Sequence, residues 1–143
     1  MYEYKACGLE GIFLKNGYLV EQTPYGETVS IADLEGLHRA IAQDIVRQPR
    51  PMTGHQFRFL RKEQDMVQEE VAALFRVDVQ TIANWEKRGK NEIPGPADIA
   101  MRAFYTAYLD MQFQRVMIAV DAQPDEGATF SLENDRWIEA QAA

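Results

Sequence analysis

The chain has 143 residues, 46% of them hydrophobic and 26% charged, which fits one domain or two small ones with a real core. Its longest apolar runs, such as residues 117–120, fall far short of the ~20 residues a membrane helix needs, and the opening MYEYKACGLEG lacks a basic region followed by an apolar block, so neither a membrane span nor a secretion signal is expected. A single cysteine, Cys7, leaves no internal disulfide and fits a reducing, cytoplasmic setting.

The first part of the chain reads as small and β-rich. Apolar runs at residues 12–15 and 18–21 flank Asn16-Gly17, a pair with easy access to positive φ, which predicts a hairpin turning there. Residues 27–31 add a third strand. Tyr4, Phe13, Tyr18 and Val20 supply the expected core, with Cys7 as a small buried residue. A helix follows over 33–47, because Leu34, Leu37, Ile41 and Ile45 recur at helical spacing and Asp33 is a good cap.

Two proline-bearing stretches, 48–51 and 93–96, mark joints. They divide the chain into an N-terminal domain over 1–48, a central helical domain over 53–92 and a C-terminal part over 96–143. In the centre, Thr53 and Gln56 have the spacing of a capping box, and Phe57, Leu60, Val71, Leu74, Val77, Ile82 and Trp85 supply a core. Pro96 and Asp98 suit the first turn of a long helix, expected to run to about residue 120 with Ile99, Ala103, Phe104, Ala107, Tyr108 and Met111 as one stripe. Residues 124–127 break it, and 129–137 read as a strand or hairpin. The fold class is α+β.

The net charge of −7 is uneven. Residues 1–52 carry −2, residues 53–90 carry +1 and residues 91–143 carry −6. A local surface, not the whole-chain charge, meets a polyanion, so the acidic total does not exclude one. The chain shows no Ser/Cys–His–acid set with credible spacing, no glycine-rich phosphate loop and no H-E-x-x-H, and His38 and His55 read as surface or boundary residues. The expectation is a non-enzyme without a cofactor; an enzyme with an unrecognised N-terminal site is the remote alternative.

Gln68, Ala72, Val77, Ile82, Trp85 and Glu86 have the spacing of two short helices crossing through a tight turn. Ala72 is small at the close approach, Val77 plugs the gap, Ile82 and Trp85 face inward, and Asp78 can cap the second helix. Over residues 53–90 this segment resembles the helix-turn-helix of the Cro/repressor, or Xre, family. Two positions depart from the family pattern. Arg76 stands where the turn normally holds Gly, costing roughly 1–2 kcal/mol in a left-handed conformation. Val67 stands where Ser or Thr normally caps, forfeiting about 1 kcal/mol.

The resemblance implies a sequence-specific regulator of transcription, repressor-like, binding double-stranded DNA as a homodimer at an inverted repeat. The helix starting near Asp78 then lies in the major groove. Gln80 and Asn84 are the expected base readers, supported by Val79 and Thr81. Gln68, Lys87, Arg88 and Lys90 are the expected phosphate contacts, and Arg61 is expected to pair with Glu86, as a surface pair worth ~0–1 kcal/mol. The stripe of Phe104, Tyr108, Met111, Phe113 and Met117 serves either as a dimer seam or as packing within the chain.

Tyr4-Lys5-Ala6-Cys7-Gly8 looks like half of a zinc knuckle with Tyr4 in place of the first Cys. With the order of parts, it resembles the N-terminal domain of MqsA-type antitoxins. That resemblance implies the alternative function, an antitoxin that binds a partner toxin and represses its own operon. Structural zinc needs four ligands, and one Cys with two His cannot supply them, so no metal is expected.

Overall fold

The computed structural model describes residues 1–110 and 127–140. The architecture is α+β: the described residues form five helices and three separate two-stranded antiparallel sheets. β1 (Tyr2–Glu3) pairs with β2 (Phe13–Leu14), β3 (Tyr18–Thr23) with β4 (Gly26–Ile31), and β5 (Thr129–Glu133) with β6 (Arg136–Ala140). The helices are α1 (Leu34–Arg47), α2 (Gly54–Glu63), α3 (Gln68–Phe75), α4 (Val79–Glu86) and α5 (Gly95–Leu109). Among the described residues no helix is long and apolar enough to cross a membrane.

The N-terminal strands pair differently from the sequence expectation. Asn16-Gly17 turns the chain, with Gly17 at φ +79°, but it hands over from one hairpin to the next. β3 folds back on β4 around Pro24-Tyr25, where the Thr23 hydroxyl donates to the Gly26 carbonyl at 2.7 Å and accepts from the Tyr25 N–H at 3.2 Å. The core positions shift too. Tyr4, Leu9 and Leu14 are buried, whereas Phe13 is 57% exposed and Val20 41%. Alternation puts neighbouring strand residues on opposite faces, so burying Leu14 turns Phe13 outward. Cys7 is half-buried, with its Sγ 3.9 Å from the Tyr4 carbonyl.

α1 starts at Asp33, whose carboxylate accepts from the Gly36 N–H at 3.1 Å. Its residues Ile41, Ala42 and Ile45 share one core with Phe57, Leu60, Val71, Ile82, Met101 and Tyr105. The 48–51 joint is firmly held. The Gln48 amide donates to the Arg50 and Pro51 carbonyls, and Arg102 donates to the carbonyls of Val46, Gln48 and Arg50. His38 ties the N-terminal segment to this core. Its Nε2 lies 2.8 Å from the Tyr4 hydroxyl and its Nδ1 3.2 Å from Glu63, and burial raises the Tyr4 pKa.

The capping box at the start of α2 forms as expected: Gln56 N–H donates to Thr53 Oγ1 and Thr53 N–H donates to Gln56 Oε1. α5 begins at Gly95 but buries a different face. Ala97, Met101 and Tyr105 point into the core; of the expected stripe Phe104 packs half-buried against it, stacked on Phe75 with centroids 5.4 Å apart, while Ile99 is 71% exposed. Asp98 does more than suit the helix dipole: its carboxylate is buried and accepts from Arg102 at 2.6 Å and from the Met52 N–H at 3.3 Å. Met111, Phe113, Met117 and the expected extension to 120 lie outside the described residues. The C-terminal stretch is a hairpin, turned by Asn134 and Asp135, both at positive φ.

Candidate nucleic-acid interface

α3 and α4 are joined by a turn of three residues, 76–78. Arg76 takes the left-handed conformation at φ 57°, ψ 46°, the strained geometry expected where glycine is missing, and its N–H closes on the α3 carbonyls of Ala72 and Ala73. At the other end of α3 Val67 has no side-chain cap to offer. Instead the Glu70 carboxylate reaches back and accepts from the Val67 N–H at 3.1 Å. Asp78 sits at the cap position of α4, but its side chain makes no capping bond. Its backbone carbonyl accepts from the Thr81 and Ile82 N–H groups.

The inner face of α4 is fixed. Ile82 is fully buried, and Trp85 meets Phe57 edge-on with ring centroids 5.7 Å apart. Val71 and Ala72 of α3 are buried, and Val77 packs half-buried against the same core. Glu86 is the polar anchor. It accepts from Arg61 Nε at 2.7 Å and Nη2 at 3.0 Å, a two-point pairing, and from Gln68 Nε2 at 3.1 Å. Arg61 also donates to the Met66 carbonyl at 2.9 Å. Arg61 is 8% exposed and Glu86 7%, so this is a buried pair and not the surface pair expected. Three helices converge on one carboxylate, which holds α4 in a set orientation on α2 and α3.

The outer face of α4 is open. Val79, Gln80 and Asn84 are exposed and Thr81 is half-buried. Gln80 Nε2 donates to Asn84 Oδ1 at 2.9 Å. Lys87, Arg88 and Lys90 are exposed just beyond the helix, with Arg88 donating to the Glu92 carbonyl at 3.0 Å. Gln68, read as a phosphate contact, is half-buried and spends its Nε2 on Glu86. Arg58 was missed. Its side chain is 55% exposed with Nε 4.0 Å from Glu86. It precedes Arg61 by three residues, so helical spacing alone puts both on one face.

The loop after α4 is stitched to the start of α2 by backbone bonds. Gly54 N–H donates to the Asn91 carbonyl at 3.1 Å, His55 N–H to Gly89 at 2.9 Å and Ile93 N–H to Met52 at 2.9 Å. Glu69, Glu70 and Asp78 are exposed on the same two-helix unit, so contact with a polyanion has to come from directed groups rather than bulk charge. Among the described residues no group of three His, Cys, Asp or Glu side chains is placed to hold a metal ion. No family model matches the chain, and no curated protein or solved structure matches it.

Proposed function

We propose that this chain is a sequence-specific DNA-binding regulator of transcription, repressor-like, that inserts α4 into the major groove of an inverted-repeat operator as a homodimer. The observation that carries this reading is the two-sidedness of α4. Ile82, Trp85 and Glu86 are pinned from within, while Val79, Gln80 and Asn84 stand exposed on the other side. Side-chain amides are the groups that bond two atoms of adenine, and a Val methyl suits the thymine methyl. Lys87, Arg88, Lys90 and Arg58 supply phosphate charge, which positions the helix without reading sequence. A two-fold dimer reads two half-sites about 10 base pairs apart or a multiple of it.

The test is binding of the full chain to DNA selected from a random pool, followed by fluorescence anisotropy at several salt concentrations. The Gln80→Ala/Asn84→Ala double variant is expected to lose at least about tenfold in affinity for the selected site, each base contact being worth ~1–3 kcal/mol. Lys87→Ala is expected to flatten the slope of log K against log salt by about 0.9. Unchanged affinity of the double variant would remove α4 as the reading element.

A further inference from the structure

The two exposed amides of α4 are not equivalent. A primary amide offers one oxygen acceptor and two N–H donors. Gln80 spends one N–H on Asn84, and Asn84 spends one lone pair of its oxygen on receiving it. The two-atom contact to adenine takes an acceptor for N6–H and a donor for N7 from the same amide. Gln80 keeps both, its Oε1 and its second N–H. Asn84 keeps both N–H groups, but its oxygen is already shared with Gln80 and has one lone pair left.

We propose that Gln80 is the two-atom reader of adenine and that Asn84 is a positioning residue fixing the Gln80 amide in that orientation. The proposal rests on α4 entering the major groove. Turning the Gln80 amide over by itself would set its Oε1 against Asn84 Oδ1, acceptor against acceptor, so the two amides turn only as a pair. The same bond disfavours a two-point contact of Gln80 with guanine. Guanine offers two acceptors, N7 and O6, and asks for two donors. Gln80 has one N–H left while Asn84 holds the other. Freed from Asn84, it has two.

The experiment compares sequences selected from random double-stranded DNA by full-length wild type, Gln80→Ala, Asn84→Ala and Asn84→Asp. Wild type is expected to select adenine at one position of each half-site, and Gln80→Ala to lose that preference. Asn84→Ala is expected to admit guanine at that same position, with discrimination falling on the order of tenfold. Asn84→Asp keeps an acceptor facing Gln80, so it is expected to restore adenine, with weaker overall binding from its added negative charge. Melting temperatures of all four are expected to agree, because both side chains are exposed. If Asn84→Ala keeps strict adenine there, or alters only another base pair, the positioning role is overturned while base reading by Gln80 stands. If wild type selects no sequence, or Gln80→Ala selects the same one, α4 as the reading helix is itself overturned.

Discussion

Replacing Gly54 with alanine adds one methyl group at the tightest backbone crossing around α4. The new Cβ would lie 2.4 Å from the Trp85 carbonyl oxygen, 2.9 Å from the Gly89 nitrogen and 3.0 Å from the Glu86 carbonyl oxygen. All three are main-chain atoms, so no flexible side chain can yield. Reaching ordinary contact requires α2 and the end of α4 to part by about 1 Å. Overpacking of this kind costs about 1–3 kcal/mol. The separation also strains the bonds from Gly54 N–H to Asn91 and from His55 N–H to Gly89, each worth about 1 kcal/mol. Alanine's better helix propensity returns at most about 1 kcal/mol. The net expectation is a loss of about 2–4 kcal/mol, or roughly 10 °C in melting temperature for a chain of this size. Thermal and urea unfolding followed by circular dichroism measures it. A Gly54→Ala protein as stable as wild type would refute the close packing of α2 on α4.

Arg61→Met is expected to cost about 3 kcal/mol or more, because it leaves the Glu86 carboxylate buried without its two-point partner; adding Glu86→Met should recover part of the loss, and strictly additive losses in urea unfolding would contradict the pairing. Arg76→Gly is expected to raise stability by about 1 kcal/mol in the same assay, since it removes left-handed strain at φ 57°, and a destabilised variant would contradict that strain. Burial raises the pKa of both Tyr4 and Tyr105 above the ordinary 10.0. Between that value and the raised folded values the unfolded chain binds fewer protons than the folded one, so stability falls as pH rises above 10. Melting curves from pH 8 to 11 should show a plateau followed by a fall, and Tyr105→Phe should shallow the fall.

The helices were legible because local chemistry and packing agree along them. Asp33 and Thr53 start α1 and α2 where their side chains suggest, and Ile41 and Ile45 bury as their spacing requires. The phase of α5 was not legible. Its sequence is apolar at 97, 101 and 105 and again at 99, 103 and 107, so periodicity alone fits either face. Strand pairing failed for a related reason: Asn16-Gly17 specifies that the chain turns, and the partner of each strand is set by contacts made elsewhere. At the candidate site, the pairing of Arg61 with Glu86 followed from the resemblance, but its burial and the recruitment of Gln68 depend on how three helices meet. The bond between Gln80 and Asn84 needs only one helical turn and was within reach of spacing.

The entry of α4 into the major groove is tested most directly by altering one groove of the DNA at a time. In the selected site, 7-deaza-adenine replaces the major-groove acceptor N7 with C–H, and 3-deaza-adenine does the same to N3 in the minor groove. At the adenine assigned to Gln80, the first substitution is expected to weaken binding by the full chain on the order of tenfold and the second to leave it unchanged. Loss of affinity with 3-deaza-adenine alone, or with neither, would contradict a major-groove seat for α4.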